Sequence, residues 1–236
     1  MRLAIIAEIH ANLPALEAVL EALRKEGVDQ VLAVGDLVGY GPHPRQVIRK
    51  LDKEGIPCIP GAADLRAAYP LPSPAREGIA ETTIVWTREQ LGTREMHFLR
   101  NLRSRHRYDT PGGRLMVFHG SPEDPEHKVD LNDAHPAEIL KMLESIRSRY
   151  AVVAGKHIPF RRLVHKGVVY DPGSVGLSLG GEPGADVLIL EDDVHGEIHH
   201  RFLKLPYDYG QVTFDLAAWE LPEVLAEVVR QGRFPK

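Results

Sequence analysis

The sequence predicts an α/β domain made of two packed sheets with helices on the outside. Three observations predict it. Residues 3–60 alternate apolar runs with amphipathic helical stretches, and this β-α-β-α-β order calls for a largely parallel sheet with right-handed crossovers. Beyond residue 160 the pattern shifts to short alternating segments, which read as antiparallel hairpins of a second sheet. Carboxylates and imidazoles follow strand ends both before and after a helical middle at about 65–102, so residues 1–236 are read as a single domain.

The elements follow in order. Residues 3–7 are a continuous apolar run, the pattern of a strand buried on both faces. Asn12 caps a helix and Pro14 suits its first turn. Leu13, Leu16, Val19, Leu20 and Leu23 form its apolar face, and Gly27 ends it. A second buried strand, 31–34, runs into Gly35-Asp36 and the loop Gly39-Tyr40-Gly41-Pro42. A helix over 45–54 leads to a strand over 56–60. The helical middle is broken at Pro70, Pro72 and Pro74, and Val85, Trp86, Leu91, Met96 and Leu99 supply its packing residues. Residues 115–118 resume strand and end at His119. A helix over 136–149, a strand over 151–154, short strands at 162–165, 168–170, 186–190 and 198–203, and a closing helix over 215–231 complete the chain.

Composition narrows the function classes. The chain has 43% hydrophobic and 26% charged residues and a net charge of −4, which gives no support to general nucleic-acid binding. Cys58 is the single cysteine, so no intrachain disulfide forms, as suits a reducing compartment. The first residues reach Glu8 too soon for the apolar stretch of a secretion signal, and no apolar run is long enough to span a bilayer. The expectation is a cytoplasmic protein with no membrane association.

Glu8, His10, Asp36, His119 and His157 each follow a strand end. Parallel strands bring their carboxyl ends to one edge, where sites collect. Carboxylates together with neutral imidazoles suit Zn, Mn or Fe. A lone histidine in such a place is more often a hydrogen-bonded turn residue; five donors at one recurring topological position argue for a metal centre.

Several segments together resemble the calcineurin-like metallophosphoesterases, in particular their small bacterial and archaeal phosphodiesterase branch. They are Glu8-Ile9-His10, the run from Gly35-Asp36 to Gly41-Pro42, His119-Gly120-Ser121-Pro122, His157-Ile158-Pro159-Phe160 and Asp171-Pro172-Gly173-Ser174-Val175-Gly176. The likeness covers nearly the whole chain, including Tyr207-Asp208. It implies a four-layer α-β-β-α sandwich and a two-metal centre. For the first metal, the family's positions fall on Glu8, His10, Asp36 and His157. For the second they fall on Asp36, Ala62, His119 and Gly155, and the histidine that assists the leaving group falls on Ala63. Glutamate stands where the family has aspartate, keeping the charge and adding a methylene. Alanine and glycine donate nothing, and two protein ligands are too few for a tight site. The resemblance therefore implies one divalent ion, with the second absent or weak, and a phosphorylated small molecule or phosphodiester as substrate. Activity is expected to be weakened or lost, and a descendant that only binds a phosphorylated ligand or protein partner is the alternative.

Other features carry two readings each. Lys156 and Arg66 adjoin the altered positions and either bind a phosphate oxygen, or pair with Glu8, or point into solvent. Asp64 reads as an exposed helix cap and His43 as a surface residue. Arg100, Arg103, Arg105, Arg107 and Arg114 form a basic stretch, read as a solvated helix end and edge strand ahead of a phosphate-rich contact. Asp124, Glu126, His127 and Asp130 lie in an irregular loop that could hold an unrelated ion.

Overall fold

The computed structural model describes residues 1–69, 78–129, 133–193 and 195–235. The expected breaks at Pro70, Pro72 and Pro74 lie outside these residues, as does Asp130. The chain opens with β1 (Arg2–Ala7), α1 (Leu13–Glu26), β2 (Gln30–Val34), α2 (Pro44–Lys53) and β3 (Cys58–Ile59). Helices α3 (Ala62–Ala68), α4 (Ile79–Gln90) and α5 (Thr93–Arg100) follow, then β4 (Arg105–Thr110) and β5 (Gly113–His119). The rest is α6 (Pro136–Ser145), β6 (Tyr150–Ala154), β7 (Pro159–Val164), β8 (Gly167–Pro172), β9 (Ala185–Asp192), β10 (Ile198–Leu205), α7 (Tyr209–Ala218) and α8 (Val224–Gln231).

Two five-stranded mixed sheets result, in the orders β10-β9-β1-β2-β3 and β4-β5-β6-β8-β7. β1, β2 and β3 are parallel, as are β5, β6 and β8. The late hairpins do not build a second sheet by themselves. The β9–β10 hairpin docks antiparallel on β1 and completes the first sheet, whereas β7–β8 joins β6 in the second. Burial explains the division: β9 is buried continuously from Ala185 to Leu190, and such a strand needs cover on both faces. β4 lies within the basic stretch and forms the edge of the second sheet, with Arg107 and Arg114 paired to Asp109.

Strand periodicity sorts the apolar side chains into layers. Leu3, Ile5, Leu32 and Val34 face inward against Leu115, Val117, Val152 and Tyr170 of the opposite sheet. Ala4, Ile6, Val187 and Ile189 face outward onto Leu16, Val19, Leu23, Val47 and Leu51 of α1 and α2. On the other side Met116, Phe118, Val153 and Val169 take Ile139 and Leu143 of α6. This is the α-β-β-α sandwich. Each fully buried leucine or isoleucine contributes roughly 1.5–3 kcal/mol.

Local chemistry sets the helix ends. The Asn12 side chain accepts the Ala15 N–H at 3.1 Å, and Gly27 closes α1 in the left-handed region. The helix expected over 136–149 stops at Ser145, with Arg147 left-handed beyond it. The closing helix is two helices, because Glu220 is left-handed and Pro222 interrupts the hydrogen-bond ladder. Val85 does not pack as expected and is 49% exposed, since the buried stripe of α4 runs through Thr83, Ile84 and Thr87. Trp86 instead meets Trp219 edge to face at 5.7 Å. Among the described residues no helix is long and apolar enough to cross a membrane.

Candidate metal centre

The carboxyl ends of β1, β2, β5 and β6 meet at one edge of the sandwich. There the chain turns sharply: Glu8, His10, Asp36 and His157 all have left-handed backbones, with φ of 53°, 46°, 50° and 60°. Non-glycine residues in this region cost on the order of 1–3 kcal/mol each and persist only where the surroundings fix them. Here they are fixed by backbone bonds between neighbouring corners. The N–H groups of Glu8, His10 and Ala11 donate to the carbonyls of Gly35, Asp36 and Leu37 at 3.1, 2.9 and 2.9 Å. The Glu8 carbonyl accepts from the Ser174 hydroxyl and the Gly176 N–H, both at 2.9 Å. Gly35 is required for a second reason, since a Cβ there would lie 2.2 Å from Nδ1 of His119.

The five side chains converge, and all are buried, Glu8 completely. The donor atoms fall into two sets, Glu8 with His10 and His157, and Glu8 with Asp36 and His119, each within 4.8 Å of one another. Oε2 of Glu8 is 2.9 Å from Nε2 of His10 and 3.2 Å from Nε2 of His157, while its Oε1 is 3.4 Å from Nδ1 of His119. Asp36 lies farther out, Oδ2 at 3.9 Å from Nε2 of His10 and Oδ1 at 3.8 Å from Nε2 of His119. Glu8, rather than Asp36, is thus the carboxylate common to both sets. The added methylene of glutamate carries its head into the centre.

The donor chemistry fits a cation. Both Glu8 carboxylate oxygens and Nε2 of His10 are buried without a hydrogen-bond partner among the described residues, despite the short separations. Buried polar atoms are otherwise nearly always paired. Nδ1 of His157 faces the Leu177 carbonyl at 2.9 Å and Nδ1 of His10 faces that of Val38 at 3.4 Å, which turns both Nε2 atoms toward the focus. Their rings stack at 5.0 Å and 8°.

Electrostatics agree. Burial pushes the Glu8 carboxyl well above the usual carboxylate range, and the charge of Asp36 adds to this while His119 opposes it. Burial also acts to raise Asp36, but the His119 and His10 rings and the Ala63 N–H, at 2.8 Å from Oδ1, hold it below its ordinary value. Burial lowers His10, and burial with His10 as neighbour takes His157 down to about 3. Both rings are therefore neutral near pH 7, the form that binds metal.

On the Asp36 and His119 side the centre opens into a cleft of about 150 Å³, lined in part by Ala62, Ala63, Arg66 and Lys128. The stem of Lys128, which lines this cleft, lies against Gly155: a Cβ there would meet Lys128 Cγ at 3.4 Å. Gly155 has φ +134°, a conformation that side-chain-bearing residues rarely adopt.

Other residues singled out in the sequence are placed as follows. Arg66 pairs with Glu81 and not with Glu8. The Lys156 N–H lies 3.4 Å from Asp171 Oδ2. Asp64 is completely buried rather than an exposed cap, and accepts the N–H groups of Leu37, Val38 and Gly61 at 3.1, 3.0 and 2.9 Å, which ties the Asp36 corner to α3. His43 is buried too, with Nε2 2.9 Å from Asp215 Oδ2, joining α2 to α7. Cys58 is buried and burial raises its thiol pKa, so it packs rather than reacts. Asp124 organises a turn by accepting the Glu126 N–H at 2.8 Å. Sequence reasoning missed Lys128, which sits in an irregular loop with no periodicity to mark it. Ser174, within the Asp171–Gly176 segment, donates its hydroxyl to the Glu8 carbonyl and so supports the site from below.

Comparison with known proteins gives a consistent result. The calcineurin-like phosphoesterase superfamily domain matches residues 1–193. A crystal structure of a metallophosphoesterase from Sphaerobacter thermophilus is 25% identical, with a TM-score of 0.81 over 98% of this chain and 99% of that one. Hypothetical protein PH1004 from Pyrococcus horikoshii OT3 has the same fold, with a TM-score of 0.85, 24% identity and 99% coverage of both chains. Protein MJ0912 of Methanocaldococcus jannaschii is 24% identical over 98% of each sequence.

Proposed function

The chain belongs to the calcineurin-like phosphoesterase superfamily, and from that premise we propose that it is a metal-dependent phosphoesterase acting on a phosphodiester or an activated phosphomonoester. It works with one tightly held divalent ion, Zn, Mn or Fe. Glu8, His10, Asp36 and His157 hold the ion, and His119 contacts the phosphate or a weak second ion. One observation carries the reading: the two unpartnered oxygens of a completely buried Glu8 lie within 3.5 Å of imidazole nitrogens from three separate strand ends.

A divalent ion in this place supplies Lewis acidity toward a phosphoryl oxygen and toward water. The protein's own part is orientation and charge. The Leu177 and Val38 carbonyls aim the His157 and His10 rings, and the hydroxyl of Ser174 anchors the Glu8 backbone. Ala63 leaves no side-chain acid where the resembling enzymes protonate the leaving group, a contribution of roughly 10²–10⁴ in rate. Aryl esters, whose leaving groups need no proton, are the substrates this chain handles best.

A second reading rests on Ala62, Ala63 and Gly155, which offer no donors on the cleft side: a non-catalytic descendant that binds a phosphorylated ligand. One experiment separates the two. Elemental analysis of metal-loaded, washed protein is paired with hydrolysis of matched aryl and alkyl phosphate esters. One ion per chain with aryl esters preferred supports the enzyme reading. Two stoichiometric ions, or equal rates on both esters, sink the one-ion, aryl-preferring mechanism. One ion with no turnover on either overturns the enzyme reading, and binding of inorganic phosphate to that protein then supports the second.

A further inference from the structure

The cleft beside Asp36 and His119 holds a cation that the sequence did not flag. Two carboxylates and three imidazoles surround the centre, so a single divalent ion leaves it neutral, with no net charge to attract a phosphate. Phosphoester sites need positive charge around the transferred group. Two cationic side chains line the cleft, Arg66 and Lys128, together with the carboxylate of Glu126. Arg66 is committed to Glu81. Lys128 has no such commitment among the described residues. Its stem crosses Gly155, the position where a side chain would otherwise occupy this face of the site.

Resting on the phosphoesterase reading, we propose that Lys128 is a phosphate-binding residue. Its ammonium donates to a non-bridging phosphate oxygen on the Asp36 and His119 side, supplying the charge that Ala62 and Gly155 no longer recruit through a second ion. The position suits it. The glycine gives the lysine stem room to cross, and the two alanine methyl groups leave the cleft open for a tetrahedral anion. Binding through a lysine point charge selects for the anion and not for any particular esterifying group.

The test is calorimetric titration of inorganic phosphate into protein loaded with one equivalent of Mn²⁺, for the native chain, Lys128→Met and Lys128→Arg. Metal affinity is measured separately for all three. Lys128 is exposed, so neither substitution burdens the core. The expected result is a loss of roughly tenfold to a hundredfold in phosphate affinity for Lys128→Met. Lys128→Arg should recover most of that loss, with Mn²⁺ affinity unchanged in both. Equal phosphate affinity in the native chain and Lys128→Met overturns the assignment and leaves the metal centre standing. A native chain that binds neither Mn²⁺ nor phosphate overturns the assignment together with the phosphoesterase reading.

Discussion

The two sides of the centre differ in kind. On the side of His10 and His157, both rings are held by backbone carbonyls, stack on each other and point Nε2 at a completely buried carboxylate. On the side of Asp36 and His119 the separation is 3.8 Å, and the wall includes alanines, Arg66, Glu126 and Lys128. The first side is built to coordinate; the second is built to admit something.

The largest break in this comparison comes from Glu8, which serves both sides. Glu8→Gln should lower Mn²⁺ or Zn²⁺ affinity by at least about a hundredfold, more than loss of an outer-shell partner costs. Metal-free stability should change by less than about 1 kcal/mol, because burial already pushes Glu8 toward its neutral form. Urea unfolding in chelator and metal titration check the two parts. Retained affinity would show that Asp36, not Glu8, is the organising carboxylate.

pH sharpens the comparison next. The raised Glu8 pKa means that metal must displace a proton, so affinity should climb with pH, at most about tenfold per unit for one proton. Titration in buffers of different ionisation enthalpy reads that proton directly. Stability follows with opposite signs in the two forms. A carboxyl whose folded pKa is raised stabilises below its unfolded pKa and loses that contribution as pH rises through the folded value. Asp171, pushed up to about 7 by burial, adds the same sign between roughly pH 4 and 7, where the lowered His10 and His157 act against it, so the effect is read above about pH 7. The chelated protein should therefore weaken toward alkaline pH while the loaded protein strengthens. Parallel curves would contradict this.

The smallest effect concerns repair of the open side. Gly155→His looks like restoration of a ligand. Its backbone conformation makes it a strain of about 1–3 kcal/mol instead. Thermal unfolding should show that loss, and elemental analysis should still find one ion. A second stoichiometric ion would mean that the corner relaxes.

Much of this was legible in the sequence. Buried parallel strands announce themselves as unbroken apolar runs, and the five donors were visible because each follows one. The partition of the late hairpins was not, since Ala185–Asp192 reads the same whether it pairs with a neighbour or with β1 at the other end of the chain. Local pattern carries no address. The same limit hid Asp64 and His43, polar residues whose burial depends on the partners that reach them from afar. It hid Lys128 too, whose meaning comes from lying over a glycine rather than from anything beside it in the chain.

The left-handed corners have one more consequence. Because Glu8, His10, Asp36 and His157 stand on bends beyond their strands, those four can be exchanged without replacing a residue of either sheet, whereas His119 is itself the last residue of β5. The strands fix the scaffold and the bends beyond them carry most of the donors, so fold and chemistry answer to different stretches of the chain.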